Sequence, residues 1–103
     1  MREPYYAVIF SSQRTLDDPS GYSETAQHME ELAKKEPGFL GIESLRDGAG
    51  KGITISYWKD PESIRQWRAN EEHLIAQMKG KKSWYSNYRI RVCRVERDYE
   101  FTP

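Results

Sequence analysis

The sequence predicts an α+β fold with the element order β-α-β-β-α-β, in which an antiparallel sheet carries two helices on one face. Four segments have the aromatic and β-branched composition typical of strands. Two segments between them have apolar residues at helical spacing, and an Asp-Pro pair precedes each. This order is that of a ferredoxin-like domain. At this length the chain is interpreted as a single domain, residues 1–103.

The first strand is predicted over residues 5–13, where both alternating faces carry apolar side chains. A strand that is apolar on both faces is covered on both faces. The helix that follows is predicted to begin near Asp18 and Pro19, because aspartate is a good N-cap and proline suits the first helical position. Pro37 and Gly38 are expected to end it.

A β-hairpin is predicted over residues 39–58. Strands at 39–46 and 51–58 flank the tract Asp47-Gly48-Ala49-Gly50, in which glycine allows the positive φ of a tight turn. The second of these strands alternates two sets of side chains: Ile53, Ile55 and Tyr57 on one face, and Thr54, Ser56 and Trp58 on the other.

The second helix is predicted to begin at Asp60 and Pro61, the same cap signal as in the first. Its apolar stripe consists of Ile64, Trp67, Leu74 and Met78. The last strand is expected over about residues 86–98. Its apolar residues change face between Val92 and Cys93, which predicts a bulge near Arg94.

Two helices can cover only one face of the predicted sheet, yet the first and third strands are apolar on both faces. The exposed sheet face therefore needs a partner, and the simplest partner is a second copy of the chain. We expect a homodimer that forms through this open sheet face.

Composition excludes several classes of protein. Lys and Arg number 16 and Asp and Glu number 16, so the formal charge is zero, which argues against a protein whose main role is to hold a nucleic-acid backbone. The single cysteine, Cys93, forms no internal disulfide and suits a reducing compartment. No stretch approaches the ~20 apolar residues of a membrane span. We expect a soluble cytoplasmic protein.

The RNA-recognition motif shares the β-α-β-β-α-β order. It requires stacking aromatic residues on its third strand, within a pattern that Lys51 and Gly52 begin here. Ile53 and Ile55 occupy the aromatic positions, and isoleucine cannot stack on a base. Binding to nucleic acid is therefore not expected.

Several segments together carry a resemblance to a known family. They are Tyr6–Gln13, Pro37–Ser44 and Ile55–Trp58, followed by Trp67 and His73. Over about residues 5–98 the chain resembles the antibiotic biosynthesis monooxygenase family. The resemblance implies a dimeric α+β barrel with a small cavity between helices and sheet in each protomer. Family members include cofactor-independent oxygenases that act on polycyclic phenols, as well as haem-degrading enzymes.

The activity that the resemblance favours is oxidation of a small aromatic or phenolic compound with O₂, without a bound cofactor. One alternative is a dimer that binds a small hydrophobic ligand without turnover. Another is a haem-binding relative with an altered ligand set. The haem-degrading members use an Asn near the end of the first strand and a His about ten residues after a Trp of the second helix. Here Ser12 or Gln13 takes the first place and Gln77 the second, which disfavours that arrangement.

His73 is the candidate catalytic residue, because histidine exchanges protons readily near neutral pH. Trp67 and Trp84 are candidate walls of a pocket for an aromatic substrate, since indole faces stack well on planar molecules. Tyr57 and Tyr88 are candidates to orient the substrate, and strand register decides which of them points inward. Core packing is the alternative for Trp67, and solvent exposure for His73. The two histidines and Cys93 lack the spacing of a metal site.

Overall fold

The computed structural model describes residues 4–16, 19–77 and 84–103, with the backbone alone for 19–20 and 72–77. The described elements follow the predicted order: β1 (Tyr5–Arg14), α1 (Pro19–Lys34), β2 (Phe39–Arg46), β3 (Lys51–Trp58), α2 (Pro61–Gln77) and β4 (Tyr85–Val95). The strands form one antiparallel sheet in the order β2-β3-β1-β4. The ferredoxin-like prediction is confirmed.

The two faces of the sheet have different surroundings. On one face, Val8 of β1 packs with Ala33 of α1 and with Ile64 and Trp67 of α2, so this face forms the core beneath the helices. On the other face, the register pairs Ile9 with Ile55 and Ala7 with Cys93. We call this second side the open face; its apolar members are Ala7, Ile9, Leu45, Ile53, Ile55, Cys93 and Val95. The prediction that β1 and β3 carry apolar residues on both faces is confirmed.

The densest part of the core lies where β3 ends. Trp58 is fully buried, and its ring centroid lies 6.0 Å from that of Trp67 in a stacked arrangement. Phe39 meets the same indole edge-on at 5.6 Å. The indole Nε1 donates a hydrogen bond of 2.9 Å to Ser56 Oγ, so the one polar group of this ring has a partner inside the core.

The hairpin turn forms as predicted. Gly50 has a φ of 92°, which only glycine adopts without strain. The Asp47 carboxylate accepts hydrogen bonds of 2.9 Å from the backbone N–H groups of Ala49 and Lys51. The turn therefore holds the adjoining ends of β2 and β3 in a fixed position.

Both helices begin at the predicted proline. Asp60 caps α2, because its carboxylate accepts a hydrogen bond of 2.8 Å from the Ser63 N–H, and this bond lowers the pKa of Asp60. α1 begins at Pro19, and its expected cap, Asp18, lies outside the described residues.

The predicted bulge near Arg94 is wrong. β1 and β4 pair without interruption from Tyr5–Val95 through Gln13–Asn87, and the register shifts only at Arg14. β4 is an edge strand, and Val92, although on the helix side of the sheet, is 54% exposed. Its apolar residues do not alternate because neither face of this strand is fully covered, not because the backbone changes register.

Gly38 lies against the first turn of α2. A Cβ at this position would come within 2.0 Å of Ser63 Oγ and 2.4 Å of Ser63 Cβ. The Gly38 carbonyl also accepts a hydrogen bond of 2.9 Å from the Lys59 N–H, which fixes the distance between the two segments. This close approach explains the glycine of the Pro-Gly-Phe segment in packing terms.

We expect Gly38→Ala to lower the free energy of unfolding by about 1–3 kcal/mol, because the added methyl group forces α2 away from β2. Urea denaturation monitored by circular dichroism measures the change. Gly48→Ala is the matched control, since a Cβ there meets nothing within 4 Å. Equal stability of the two variants would contradict the packing explanation.

No helix among the described residues is both long enough and apolar enough to span a membrane.

Candidate functional site

A cavity of about 640 Å³ lies between the sheet and the two helices. This volume is within the range of small-molecule binding sites. Val8 and Phe10 of β1 line it from the sheet, and Met29 of α1 and Trp67 of α2 line it from the helices. Trp84, which immediately precedes β4, also lines it. The lining therefore comes from both helices and the sheet.

Both predicted tryptophans line the cavity. Trp67 is 6% exposed and Trp84 is 5% exposed. Trp67 also stacks on Trp58, so this residue belongs both to the core and to the lining of the cavity. Trp84 meets the ring of Tyr22 edge-on at 5.8 Å, which continues the aromatic wall toward the other end of the cavity.

The register separates the two predicted tyrosines. Tyr88 lines the cavity at its rim, where its ring is stacked on Phe10 at 5.3 Å. Tyr57 lies on the open face, where its hydroxyl donates a hydrogen bond of 3.2 Å to Glu43. Burial first, and then the Glu43 carboxylate, raises the pKa of Tyr57. In contrast to the expectation, Tyr57 therefore does not line this cavity.

The remaining candidate, His73, is part of α2, and its side chain lies outside the described residues. The structure therefore brings together Trp67, Trp84 and Tyr88, and the position of the His73 imidazole stays a prediction.

A second group of side chains at the cavity was not predicted. Arg46, at the end of β2, donates hydrogen bonds to Ser12 Oγ at 2.9 Å, to the Tyr22 hydroxyl at 3.1 Å and to the Gly50 carbonyl. Tyr85, at the start of β4, is hydrogen-bonded to Tyr22 through its side chain. We call Ser12, Tyr22, Arg46 and Tyr85 the tyrosine–arginine cluster. Three of its members line the cavity, namely Tyr22, Arg46 and Tyr85.

Gly52 makes room for the guanidinium of this cluster. A Cβ on Gly52 would lie 2.5 Å from Arg46 Cζ and 2.7 Å from Arg46 Nη2. The guanidinium thus occupies the volume that a side chain at this position would take. Gly52 is buried and pairs with Arg46 across the hairpin and with Ser12 on β1.

A second guanidinium lies close to the cluster. Arg14 Cζ is 3.8 Å from the centroid of the Tyr22 ring, a cation–π distance, and its Nη1 donates a hydrogen bond of 2.7 Å to the Trp84 carbonyl. The guanidinium groups of Arg46 and Arg14 therefore lie close together around the Tyr22 ring at this end of the cavity, whereas Trp67, Arg68 and Glu71 line it from α2.

Sequence reasoning missed the tyrosine–arginine cluster because its members come from four separate elements. One signal was available in the predicted hairpin. Arg46 shares its strand face with Ile42 and Ser44, and the pairing of 39–46 with 51–58 sets Arg46 opposite Gly52. A charged residue on a covered sheet face, paired with a glycine on the next strand, indicates that the charged side chain fills the volume that the glycine leaves empty.

The pKa of Tyr85 is raised far above its ordinary value of 10.0, first by burial and then by its hydrogen bond to Tyr22. Arg46 and Arg14 act in the opposite direction, but their effect is smaller. The Tyr85 hydroxyl therefore stays protonated and uncharged at neutral pH.

This raised pKa predicts a loss of stability at alkaline pH. Above pH 10 the unfolded chain loses the Tyr85 proton while the folded chain keeps it, so the free energy of unfolding falls as pH rises. We expect a fall of up to about 1.4 kcal/mol per pH unit from this residue. Urea denaturation from pH 8 to 11 should show a shallower decline for Tyr85→Phe than for the native chain. Parallel declines would contradict the assignment.

The described side chains can be compared with the donor sets of metal and haem sites. Among them, no group of three His, Cys, Asp or Glu residues could hold a metal ion. Ser12, one of the two residues expected in place of the Asn of haem-degrading members, is 4% exposed and accepts the hydrogen bond from Arg46. Gln13 donates to the Ala49 carbonyl at 2.7 Å. Both side chains are already engaged in local contacts.

Comparison with known proteins gives one family and several relatives. Residues 12–79 match the family model described as antibiotic biosynthesis monooxygenase. The uncharacterized protein YqjZ of Bacillus subtilis is 50% identical over 98 residues, which cover 95% of this chain and 85% of that protein. The jasmonate monooxygenase ABM of Pyricularia oryzae is 29% identical over 94 residues, which cover 87% of this chain. The chain spans only 43% of the length of that second relative.

The fold is also shared with solved structures. SnoaB, a cofactor-independent oxygenase from Streptomyces nogalater, superposes with a TM-score of 0.70. Its sequence is 12% identical, and the match covers 94% of this chain and 97% of that one. At this identity the likeness concerns the fold.

Proposed function

Because the chain belongs to the antibiotic biosynthesis monooxygenase family, we propose that it oxidises a small aromatic or phenolic compound with O₂ in the cavity between helices and sheet. The observation that carries this proposal is the cavity itself, which joins an aromatic wall to the guanidinium of Arg46. The names of two relatives, a jasmonate monooxygenase and a cofactor-independent oxygenase, support oxygen chemistry.

In the proposed reaction the substrate supplies the electrons. For an anthrone, a ring-flanking CH₂ group loses a proton to give an electron-rich anion, which reacts with O₂. One oxygen atom stays on that carbon as a carbonyl group, and the other leaves as water with the two hydrogens of the CH₂ group. The chain's part is to exclude bulk water, orient the ring and accept the proton.

Within this proposal, Trp67 and Trp84 hold the substrate ring, and Tyr88 contacts it at the rim. His73 is the proposed proton acceptor, on the basis of its place in the sequence. We expect His73→Ala to lower the turnover rate by about 10²–10⁴-fold while substrate affinity changes little. Stopped-flow absorbance and equilibrium binding measure the two quantities separately. Loss of binding with an unchanged rate per bound substrate would exclude the proton-transfer role.

Oxygen consumption by the purified protein tests the activity directly. A panel of quinols and anthrones is added in an oxygen electrode, and protein-free substrate measures spontaneous oxidation. We expect saturable uptake of one O₂ for each anthrone converted to the quinone. Saturable binding of panel members without O₂ uptake would instead favour the alternative, a non-catalytic binder of small hydrophobic ligands.

Haemin titration tests the other alternative. Because Gln77 stands in place of the axial His and neither Ser12 nor Gln13 is an Asn, we expect no saturable Soret band at one haem per chain. A saturable band that disappears in His73→Ala would assign His73 as an iron ligand and overturn the oxygenase proposal. Gln66→Ala, on the exposed side of α2, is the matched control for a substitution in that helix.

The proposed working form is a homodimer. Its support is the apolar open face, where Leu45 is 82% exposed and Ile53 is 43% exposed in the single chain. Burial of this face against a second copy leaves each cavity on the outer, helical side of its own sheet. The proposed place of action is the cytoplasm, which the lone cysteine supports.

A further inference from the structure

Arg46 presents a positive charge to the cavity without a negative partner among the described residues. Its guanidinium contacts the Ser12 hydroxyl, the Tyr22 hydroxyl and the Gly50 carbonyl, all of which are uncharged. The residue is half-buried. Partial burial of an unpaired charge is unfavourable, and an anion placed beside it removes that cost.

Among the described residues, the side chains next to Arg46 do not neutralise this charge. The Tyr85 hydroxyl is protonated, because burial raises its pKa. The Arg14 guanidinium lies over the Tyr22 ring, so a second cation is close to the same end of the cavity. Other charged groups that line the cavity are on the helices, namely Glu30, Arg68 and Glu71. Of these, Glu30 is paired with Lys34 at 3.4 Å.

The cluster also has hydrogen-bond donors to offer. The contacts of Arg46 use three N–H groups, and a guanidinium has five. The Tyr22 oxygen accepts one bond from Arg46, and the hydroxyl hydrogen, which rotates about the C–O bond, can be donated to a ligand in the cavity. Hydrogen-bond donors grouped around a positive charge are typical of sites that bind a negatively charged oxygen.

We infer that Arg46 and Tyr22 bind the ionised oxygen of an aromatic ligand, a phenolate or an enolate. The site is the end of the cavity where β2 ends and β4 begins. The inference rests on the proposed function in taking this cavity as the ligand site. On ionisation the ligand O–H bond breaks, the electron pair stays on the oxygen beside Arg46, and the proton passes to water or to a base. Arg46 therefore lowers the pKa of the bound ligand.

Gly52 acts as a positioning residue for this site. A methyl group at Gly52 would overlap the guanidinium, so Arg46 would have to leave its contacts with Ser12 and Tyr22. Gly52→Ala thus keeps the positive charge of Arg46 but displaces the guanidinium from its site. Arg46→Met removes the charge and keeps the aliphatic part of the side chain.

The test uses 4-nitrophenol, whose ionised and neutral forms have different absorbance spectra. Titration of the bound probe with pH gives its apparent pKa directly, without any turnover. We expect the native protein to lower that pKa by about one unit, a tenfold shift of the ionisation equilibrium. The expected shift disappears in Arg46→Met and in Gly52→Ala, and it decreases in Tyr22→Phe.

Two controls separate the site from general effects. Arg65→Met removes a guanidinium from the exposed side of α2 and should leave the shift unchanged. Thermal unfolding monitored by circular dichroism confirms that each variant is folded, and Arg46→Lys, which keeps the charge, should retain part of the shift. 4-Nitroanisole, which cannot ionise, should bind Arg46→Met and the native chain equally.

The outcomes distinguish this inference from the proposed function. A lowered probe pKa without O₂ uptake on any substrate supports the anion site and rejects the oxygenase. O₂ uptake with an unshifted probe, or with equal rates in Arg46→Met, overturns the anion site and leaves the oxygenase standing. Failure of the probe to bind, or an equal shift in Arg46→Met, also overturns the inference.

Discussion

Replacing Trp58 by alanine is expected to remove about 3–5 kcal/mol from the free energy of unfolding. The indole is fully buried, stacks on Trp67 and meets Phe39 edge-on, so its removal leaves a large cavity among aromatic rings. It also leaves Ser56, a buried hydroxyl, without its indole donor. Domains of this kind have a total stability of roughly 5–15 kcal/mol, so the loss is a large share of it.

Urea denaturation followed by far-ultraviolet circular dichroism measures this loss. Trp58→Phe should cost less, because a ring still fills most of the space. Glu31→Ala, on the exposed side of α1, should change stability by less than about 0.5 kcal/mol. A Trp58→Ala variant within 1 kcal/mol of the native chain would contradict the placement of this indole at the centre of the core.

A carboxylate introduced on the open face is expected to convert the proposed dimer into monomers. Ile55 lies between Ile9 on β1 and Glu43 on β2, so glutamate at this position faces a like charge in its own chain. Burial of that carboxylate against a second copy would cost more than the contact gains. Multi-angle light scattering should therefore give 12.1 kDa for Ile55→Glu and twice that mass for the native chain.

Two further variants make this result specific to the open face. Ile53→Glu has Ser11 and Leu45 opposite it, so it introduces the charge without a like-charged neighbour and should also give monomers. Gln66→Glu, on the outer side of α2, should remain dimeric. A monomeric native chain, or dimers in all three variants, would reject the open face as the subunit contact.

Much of the fold could be predicted from local signals. Aromatic and β-branched composition located β1, two alternating sets of side chains located β3, and the Asp-Pro pairs marked the starts of both helices, because these patterns depend on a few neighbouring residues. The regular pairing of β4 was harder to predict. Val92 and Cys93 lie on an edge strand, where the pattern of apolar residues depends on coverage by other elements rather than on backbone geometry.

The candidate site was only partly predictable, for a different reason. Trp67 could be placed from its helical spacing, but the choice between Tyr57 and Tyr88 depended on register, which a single strand does not reveal. The contact between Arg46 and Tyr22 joins residues 24 positions apart, and it forms only because Gly52 leaves a gap. Composition and periodicity carry no information about such a gap.

The alternation of side chains along β1 has a consequence for how this chain can diverge. Val8 and Phe10 face the cavity, whereas Ala7 and Ile9 face the other way. If the proposed ligand site and the proposed dimer are correct, a point substitution in this strand alters either ligand choice or self-association. Substrate preference could then change through every second position of β1 while the positions between them keep the subunit contact.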